Sequence, residues 1–294
     1  MKIAILGSDY QQEMPIRKLF GSLSKHQAEV CIQKDFFDYL QSEFKLDYPH
    51  CEVFGGDDFS ADFAFSIGGD GTLLRTAAIV GKKNIPILGI NTGTLGFLAD
   101  INEKNIEEML NNLFEGKYRI EHRSQIQVST DFNTLNDTGV ALNEVALLKQ
   151  DTASMITINA YINDEYLTSY QADGLIISTP TGSTAYSLSI GGPIMTPKAA
   201  NFIIAAIAPH SLNTRPLVIE DSCVIRLEIE GRNRNYLISV DGRSSVLPIE
   251  TKLTIKKAQT EVKLVKGLDH TFYGTIRDKL MWGADPRTTG QKER

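Results

Sequence analysis

Cysteine is nearly absent from this chain: Cys31, Cys51 and Cys223 are odd in number and far apart, which excludes a disulfide framework and a Cys-rich metal site. The 5 histidines are scattered as well, so zinc chemistry has little support. No uninterrupted apolar stretch approaches bilayer-spanning length, the longest lying around 202–208, and no membrane partner is expected. The first apolar run, residues 1–7, is shorter than the core of a secretory signal and suits a first buried strand, so a cytoplasmic protein is expected. A formal net charge of -6 argues against non-specific nucleic-acid binding and leaves small molecules as the expected partners. Internal repeats and low-complexity segments are also lacking.

What is present is an ordinary globular composition, 42% hydrophobic and 22% charged, over 294 residues, enough for two domains. The first hundred residues alternate strand-like and helix-like segments: strands at 2–6, 29–33, 62–67 and 86–90, helices at 15–25, 35–44 and after residue 70. That alternation predicts a Rossmann-like α/β domain over 1–100, with a parallel sheet and covering helices. After a helix at 105–113 the texture becomes β-rich, with strands at 125–130, 144–149, 155–162, 174–179, 224–229, 236–240, 252–256 and 261–265. Without helical crossovers these predict a predominantly antiparallel β domain over 101–268. A helix at 272–280 is expected to return to the first domain, so that 269–294 packs back on it, with a frayed end at 285–290.

The strand at 62–67 runs directly into Gly68-Gly69-Asp70-Gly71-Thr72, which opens a helix. Glycines there let the backbone approach an anion closely, and the free N–H groups of the helix start point at it. A Walker-type loop would need a Lys-Ser/Thr pair after its last glycine, and Thr72-Leu73 follows instead. Asp70 is a carboxylate inside a phosphate site, suited to taking a proton from a hydroxyl or holding a metal ion. The same residues also make a good tight turn. In such sheets ligands bind beyond the carboxyl ends of the strands, where Asp70 falls, and the glycines of segment 91–98 are expected to shape the same crevice.

A second signal runs from Asp173 to Ser189, where 7 hydroxyl residues other than tyrosine and 2 glycines crowd together. Such a stretch can wrap a ligand rich in ribose hydroxyls and phosphate oxygens, with Tyr186 offering a face on which adenine stacks. The competing reading is a solvated Ser/Thr loop capping a helix. The third signal is Asn143-Glu144, an amide able to read the edge of adenine beside a carboxylate able to accept from ribose hydroxyls.

Taken in order and spacing, Gly-Gly-Asp-Gly-Thr, Asn143-Glu144 and the run from Asp173 through Ser189 into Gly191-Gly192-Pro193-Ile194 closely resemble the NAD kinase family. Gly-Gly-Asp-Gly alone is shared with lipid kinases of the diacylglycerol and sphingosine type and with phosphofructokinases; the Thr-Pro-Thr-Gly-Ser-Thr-Ala-Tyr run is not. The resemblance implies transfer of the γ-phosphoryl of ATP to the 2′-hydroxyl of the adenosine ribose of NAD, in a site formed between the two domains. It implies Asp70 as proton acceptor, and Gly68, Gly69, Gly71 and Thr72 as the phosphate loop. NAD would be held by Asp70, Gly71, Arg75, Asn143, Glu144, Gln171, Asp173, Thr181, Thr184, Ala185, Tyr186, Ser187, Leu188, Ser189 and Arg243, with Asp173 on the nicotinamide amide. A divalent ion, magnesium, would accompany ATP, although no protein cage for it is visible. Homodimers or homotetramers through the β-rich domain are implied too. Gln171 departs from the family, many of whose members have a basic side chain there, and this departure implies better tolerance of NADH, whose nicotinamide ring is uncharged. Other readings of the loop are a non-catalytic NAD(P) sensor and a lipid or sugar kinase, the former opposed by retention of Asp70 and the latter lacking an apolar entry groove.

Overall fold

The computed structural model describes residues 1–9, 11–46, 48, 51–93, 96–131, 139–150 and 154–283. Thr94 and Leu95 of segment 91–98 and the expected frayed end at 285–290 lie outside the described residues. The chain forms two units, one of Met1–Glu121 with Lys263–Arg294, the other His122–Val262.

The first unit alternates strand and helix: β1 (Lys2–Gly7), α1 (Glu13–Lys25), β2 (Glu29–Gln33), α2 (Lys34–Phe44), β3 (Cys51–Phe54), β4 (Phe63–Ile67), α3 (Asp70–Val80), β5 (Ile87–Ile90) and α4 (Ile106–Phe114). Its strands run parallel in the order β5-β4-β1-β2-β3. β4 is buried along its whole length, which its unbroken apolar sequence requires of a strand covered on both faces. α1 turns Ile16, Leu19, Phe20 and Leu23 inward at helical spacing, and they share a core with Ile3, Ile5, Phe63 and Phe65. α4 adds Ile106, Met109, Leu110 and Leu113 to that core, so it belongs to the first unit although it follows residue 100, where a boundary was expected.

The division of the chain falls inside β6 (Tyr118–Thr130) and, later, inside a long strand that closes the β-rich part. The second unit continues with β7 (Val140–Ala141), β8 (Glu144–Lys149), β9 (Ile156–Ile162), β10 (Glu165–Ala172), β11 (Gly174–Ser178) and the short α5 (Tyr186–Ser189). It ends with β12 (Asn201–Ile207), β13 (Leu217–Glu220), β14 (Ile225–Glu230), β15 (Asn235–Val240), β16 (Arg243–Pro248) and β17 (Leu253–Gly267). One antiparallel sheet has the order β13-β12-β11-β8-β15-β16, and another contains β10-β9-β14-β17. Val145, Leu147, Leu175, Ile177 and Phe202 of the first sheet pack with Ile158, Leu227, Leu253 and Ile255 of the second, which makes a sandwich. The expected class, α/β followed by antiparallel β, is the one observed.

β17 replaces the two separate strands read from the sequence at 252–256 and 261–265: the intervening Lys-Ala-Gln-Thr interrupts the apolar alternation but contains no turn-forming glycine or proline, and the backbone stays extended. β3, β10, β12, β13 and β16 were not anticipated. α6 (Phe272–Leu280), capped by Thr271 Oγ1 accepting from the Gly274 N–H at 3.1 Å, belongs to the first unit. Phe65 is completely buried at the centre of the parallel sheet, and Phe65→Ala should lower the unfolding free energy by about 3 to 5 kcal/mol, read from urea denaturation.

Candidate active site

β4 is hydrogen-bonded on both sides, to β1 and β5, so its carboxyl end is fixed and the chain must turn at once into α3. Gly68 makes that turn with φ +143°, a conformation closed to most residues, while its N–H donates to the Ile90 carbonyl at 2.9 Å. The carbonyl of Gly69, at the cap of α3, accepts from the N–H groups of Thr72 at 3.0 Å and Leu73 at 3.2 Å. Gly69 and Gly71 are exposed and border open space, so an anion can reach this backbone. Thr72 is buried; its Oγ1 donates to Ser8 Oγ at 3.1 Å and accepts from Arg75 Nη2 at 3.2 Å. Ser8 in turn accepts from Gln11 Nε2 at 2.9 Å, and the other end of that amide, Oε1, accepts from Thr92 Oγ1.

Asp70 sits on the first turn of α3. Its Oδ2 accepts from the Phe97 N–H at 2.7 Å, and its Oδ1 accepts from those of Leu98 and Ala99, each at 3.0 Å. A Cβ on Gly96 would overlap this carboxylate, so a glycine is required for the segment to close on it. Successive amides and the helix N-terminus thereby offset the cost of holding an anionic side chain at this turn. Oδ1 has two donors and Oδ2 one, which leaves Oδ2 with capacity to accept from a further hydroxyl.

In the second unit an equivalent clasp orders Asn143-Glu144. Asp241, with φ +48°, and Gly242, with φ +80°, form the tight turn between β15 and β16. The Asp241 carboxylate accepts from the N–H groups of Leu142 at 2.6 Å, Asn143 at 2.8 Å and Glu144 at 3.1 Å. Thr179 joins the Asp173–Ser189 stretch to the same place: its N–H donates to the Asn143 carbonyl at 2.9 Å and its Oγ1 to that of Leu142 at 2.6 Å. Burial, first, and the neighbouring Asp241, second, push the Glu144 carboxyl up to about 7. Burial also raises Asp241, against the opposing pull of its three amide donors and Arg243.

The hydroxyl-rich stretch divides into structural and available groups. Thr179 and Ser183 are buried and spent on local bonds, Ser183 Oγ donating to the Pro180 carbonyl at 2.6 Å and accepting from the Met195 N–H at 3.0 Å. Thr181 is buried and accepts from Arg123 Nη1 at 3.3 Å; its carbonyl accepts from Thr184 Oγ1 at 3.2 Å. A solvated surface loop does not describe these residues. Asn143 Oδ1, Glu144 Oε2 and Ser187 Oγ are buried without a hydrogen-bond partner, an arrangement that a polar ligand would relieve. Thr184, Ala185 and Leu188 are half-buried, while Tyr186 and Ser189 are exposed.

Asp173, between β10 and β11, is ion-paired with Lys149 at 2.7 Å. Gln171 is exposed on β10, with its carbonyl accepting from the His210 N–H at 2.8 Å. The position thus carries no charge, yet a cation stands beside Asp173 all the same. Arg243 directs Nη2 at the Val140 carbonyl, 2.7 Å, and Nε at that of Val240, 3.1 Å, and so is engaged in bracing the turn. Among the described residues no three His, Cys, Asp or Glu side chains gather into a metal cage. The donor set of the described residues therefore does not fit a protein-held ion.

Sequence reasoning passed over Ser8, Gln11, Arg123 and Lys149. Ser8 had a signal, since it follows β1 at the same carboxyl edge of the parallel sheet as the glycine loop. The others have no local signature. Because the Glu144 carboxyl binds its proton more tightly in the folded chain than the ordinary value of 4.5, stability should fall as pH rises from 4.5 to about 7. The loss attributable to this group is at most roughly 3 kcal/mol. Urea unfolding at about pH 5 and about pH 8 should show this loss in the wild type and a smaller one in Glu144→Gln.

Comparison with known proteins agrees with both halves of the chain. Residues 17–118 match the ATP-NAD kinase N-terminal domain, and residues 142–267 match the ATP-NAD kinase C-terminal domain. An NAD kinase of Bacteroides fragilis is 48% identical over 289 residues, 98% of this chain and 100% of the relative. One of Porphyromonas gingivalis is 44% identical, covering 97% of this chain and 99% of the relative. Among solved structures, an NAD kinase from Archaeoglobus fulgidus in complex with ATP superposes with a TM-score of 0.77 at 26% identity, over 96% of this chain and 99% of that one. Yeast NADH kinase complexed with NADH shares the fold, with a TM-score of 0.87 at 23% identity over 97% of this chain and 88% of that one. With the matched domains spanning most of the sequence and these relatives aligned from end to end, the chain belongs to the NAD kinase family.

Proposed function

We propose that this protein transfers the γ-phosphoryl group of ATP to the 2′-hydroxyl of the adenosine ribose of NAD, giving NADP and ADP. The observation that carries the reading is the Asp70 carboxylate, oriented by three amides on the first turn of α3 beside an open glycine backbone, with Oδ2 able to accept from one more donor. A ribose hydroxyl is a poor nucleophile; a fixed carboxylate orients it and takes its proton as the new P–O bond forms and the bond to the ADP oxygen breaks. Gly68, Gly69, Gly71 and Thr72 are the phosphate loop in this reading, and Arg75, exposed on α3, supplies positive charge.

Asn143 and Glu144 hold the adenine and its ribose, supported by their unsatisfied Oδ1 and Oε2 atoms. Thr181 and the stretch from Thr184 through Ser189 line the adenosine half, with Tyr186 as a stacking face. Asp173 takes the nicotinamide amide, and Gln171 lies near it in sequence. Arg243 stands behind Asp241 and acts on NAD through the turn that it braces. A divalent ion, magnesium, would accompany ATP and neutralise phosphate charge when bound. We further propose a cytoplasmic homo-oligomer, dimer or tetramer, joined through the β-rich unit, where Tyr166, Val246 and Met155 expose apolar surface.

Purified protein given ATP, magnesium and NAD should form NADP, detected with an NADP-specific dehydrogenase. Absence of NADP from folded protein with every phosphoryl donor tried would overturn the reading. Asp70→Asn keeps the shape and removes the base, and turnover should fall by about two or more orders of magnitude with little change in NAD affinity.

A further inference from the structure

The segment that orients Asp70 is itself gripped from behind. Lys266 of β17 is buried, with 2% of its side chain exposed, and Asp100 is nearly so at 10%. Lys266 Nζ donates to the Leu98 carbonyl at 2.9 Å and to Asp100 Oδ2 at 2.7 Å. His270 Nε2 lies 2.7 Å from the same Asp100 oxygen, and the His270 backbone carbonyl accepts from Arg119 Nη2 at 2.8 Å. All of these residues belong to the first unit.

The peptide joining Leu98 to Ala99 is planar, with its C=O and N–H on opposite sides. Its carbonyl is held by Lys266, and its N–H, that of Ala99, donates to Asp70 Oδ1. Fixing one end of this plane aims the other. Asp100 anchors the next residue through the same ammonium, so Lys266 ties down both the peptide plane and the end of the segment. The mechanism proposed above does not use this buried ion pair, whose desolvation is costly unless each charge is well matched.

We infer that Lys266, with Asp100 and His270, is a positioning device for Asp70: it holds segment 97–100 so that three amides converge on one carboxylate. The inference rests on the reading of Asp70 as proton acceptor. Burial by itself would raise the Asp100 carboxyl, but the Lys266 ammonium and His270 outweigh it and hold the group at about 2, so Asp100 stays ionised throughout the neutral range.

The test is a double-mutant cycle of Lys266→Met and Asp70→Asn, with kcat, the KM for NAD and the melting temperature measured for each enzyme. In the wild-type background Lys266→Met should lower kcat by about ten- to a hundredfold and leave KM within about threefold, because a displaced base loses alignment while NAD binding is retained. In the Asp70→Asn background it should lower kcat no further. An equal factor in both backgrounds, or unchanged kcat in folded protein, would overturn the inference, since a purely structural lysine would move melting temperature alone or act independently of Asp70. If Lys266→Met does not fold because Asp100 is left unpaired, Lys266→Met/Asp100→Asn removes both charges and takes its place in the cycle with the same expected results. Near-normal turnover of Asp70→Asn would overturn the assignment of the base itself, and with it this positioning role; loss of turnover there combined with an additive cycle would overturn the positioning role alone.

Discussion

A short carboxylate clasped by consecutive backbone N–H groups is the interaction on which both units depend. Asp70 takes the amides of Phe97, Leu98 and Ala99, and Asp241 takes those of Leu142, Asn143 and Glu144. Amides along a loop have no ladder partner and must find an acceptor, and an ionised carboxylate with two oxygens can satisfy several at once through charge-assisted bonds. Each clasp joins pieces of chain far apart in sequence, an aspartate on one side and three consecutive amides on the other. Asp70 differs from Asp241 in lying on the first turn of a helix, whereas Asp241 lies in a turn between two strands.

The acids of the two units also show how environment divides one functional group into different roles. Asp100 is buried next to two basic side chains and stays charged. Glu144 is buried next to another acid, and near neutral pH its carboxyl is balanced between accepting from a hydroxyl and donating to one. The difference lies in neighbours, since both groups are removed from water. A hydroxyl brought to Glu144 would therefore meet a partner whose hydrogen-bonding sense changes over a narrow range of acidity.

Much of this was legible in the sequence because it is local. A buried apolar strand, glycines and a helix-forming run mark the glycine turn within a dozen residues, and Asp173–Ser189 stands out by composition, whereas Asn143-Glu144 gains weight only from its order and spacing with these two. The α/β and β halves follow from periodicity. The short, partly exposed edge strands β3, β13 and β16 were missed because so few residues cannot establish a strand period. β17 was split in two for the related reason that a polar stretch imitates a turn. The partners of Asp70 were invisible on other grounds: a backbone amide has no residue identity, and Lys266 is 166 positions from Asp100, so neither betrays the pairing by spacing. Gly96 was noticed as one glycine among several, but its need for close approach to a carboxylate is a fact of three dimensions.

The long strand β17 sets an order of events during synthesis. Lys266 comes near the end of the chain, while the Leu98 carbonyl that it holds leaves the ribosome 168 residues earlier. Until then the parallel sheet can form from β1 to β5, all of whose strands are local, but the segment facing Asp70 has no ammonium behind it. A chain arrested ahead of residue 266 would lack the ammonium that holds the Leu98 carbonyl. The grip on segment 97–100 is therefore made late in the order of synthesis, long after the residues that it holds.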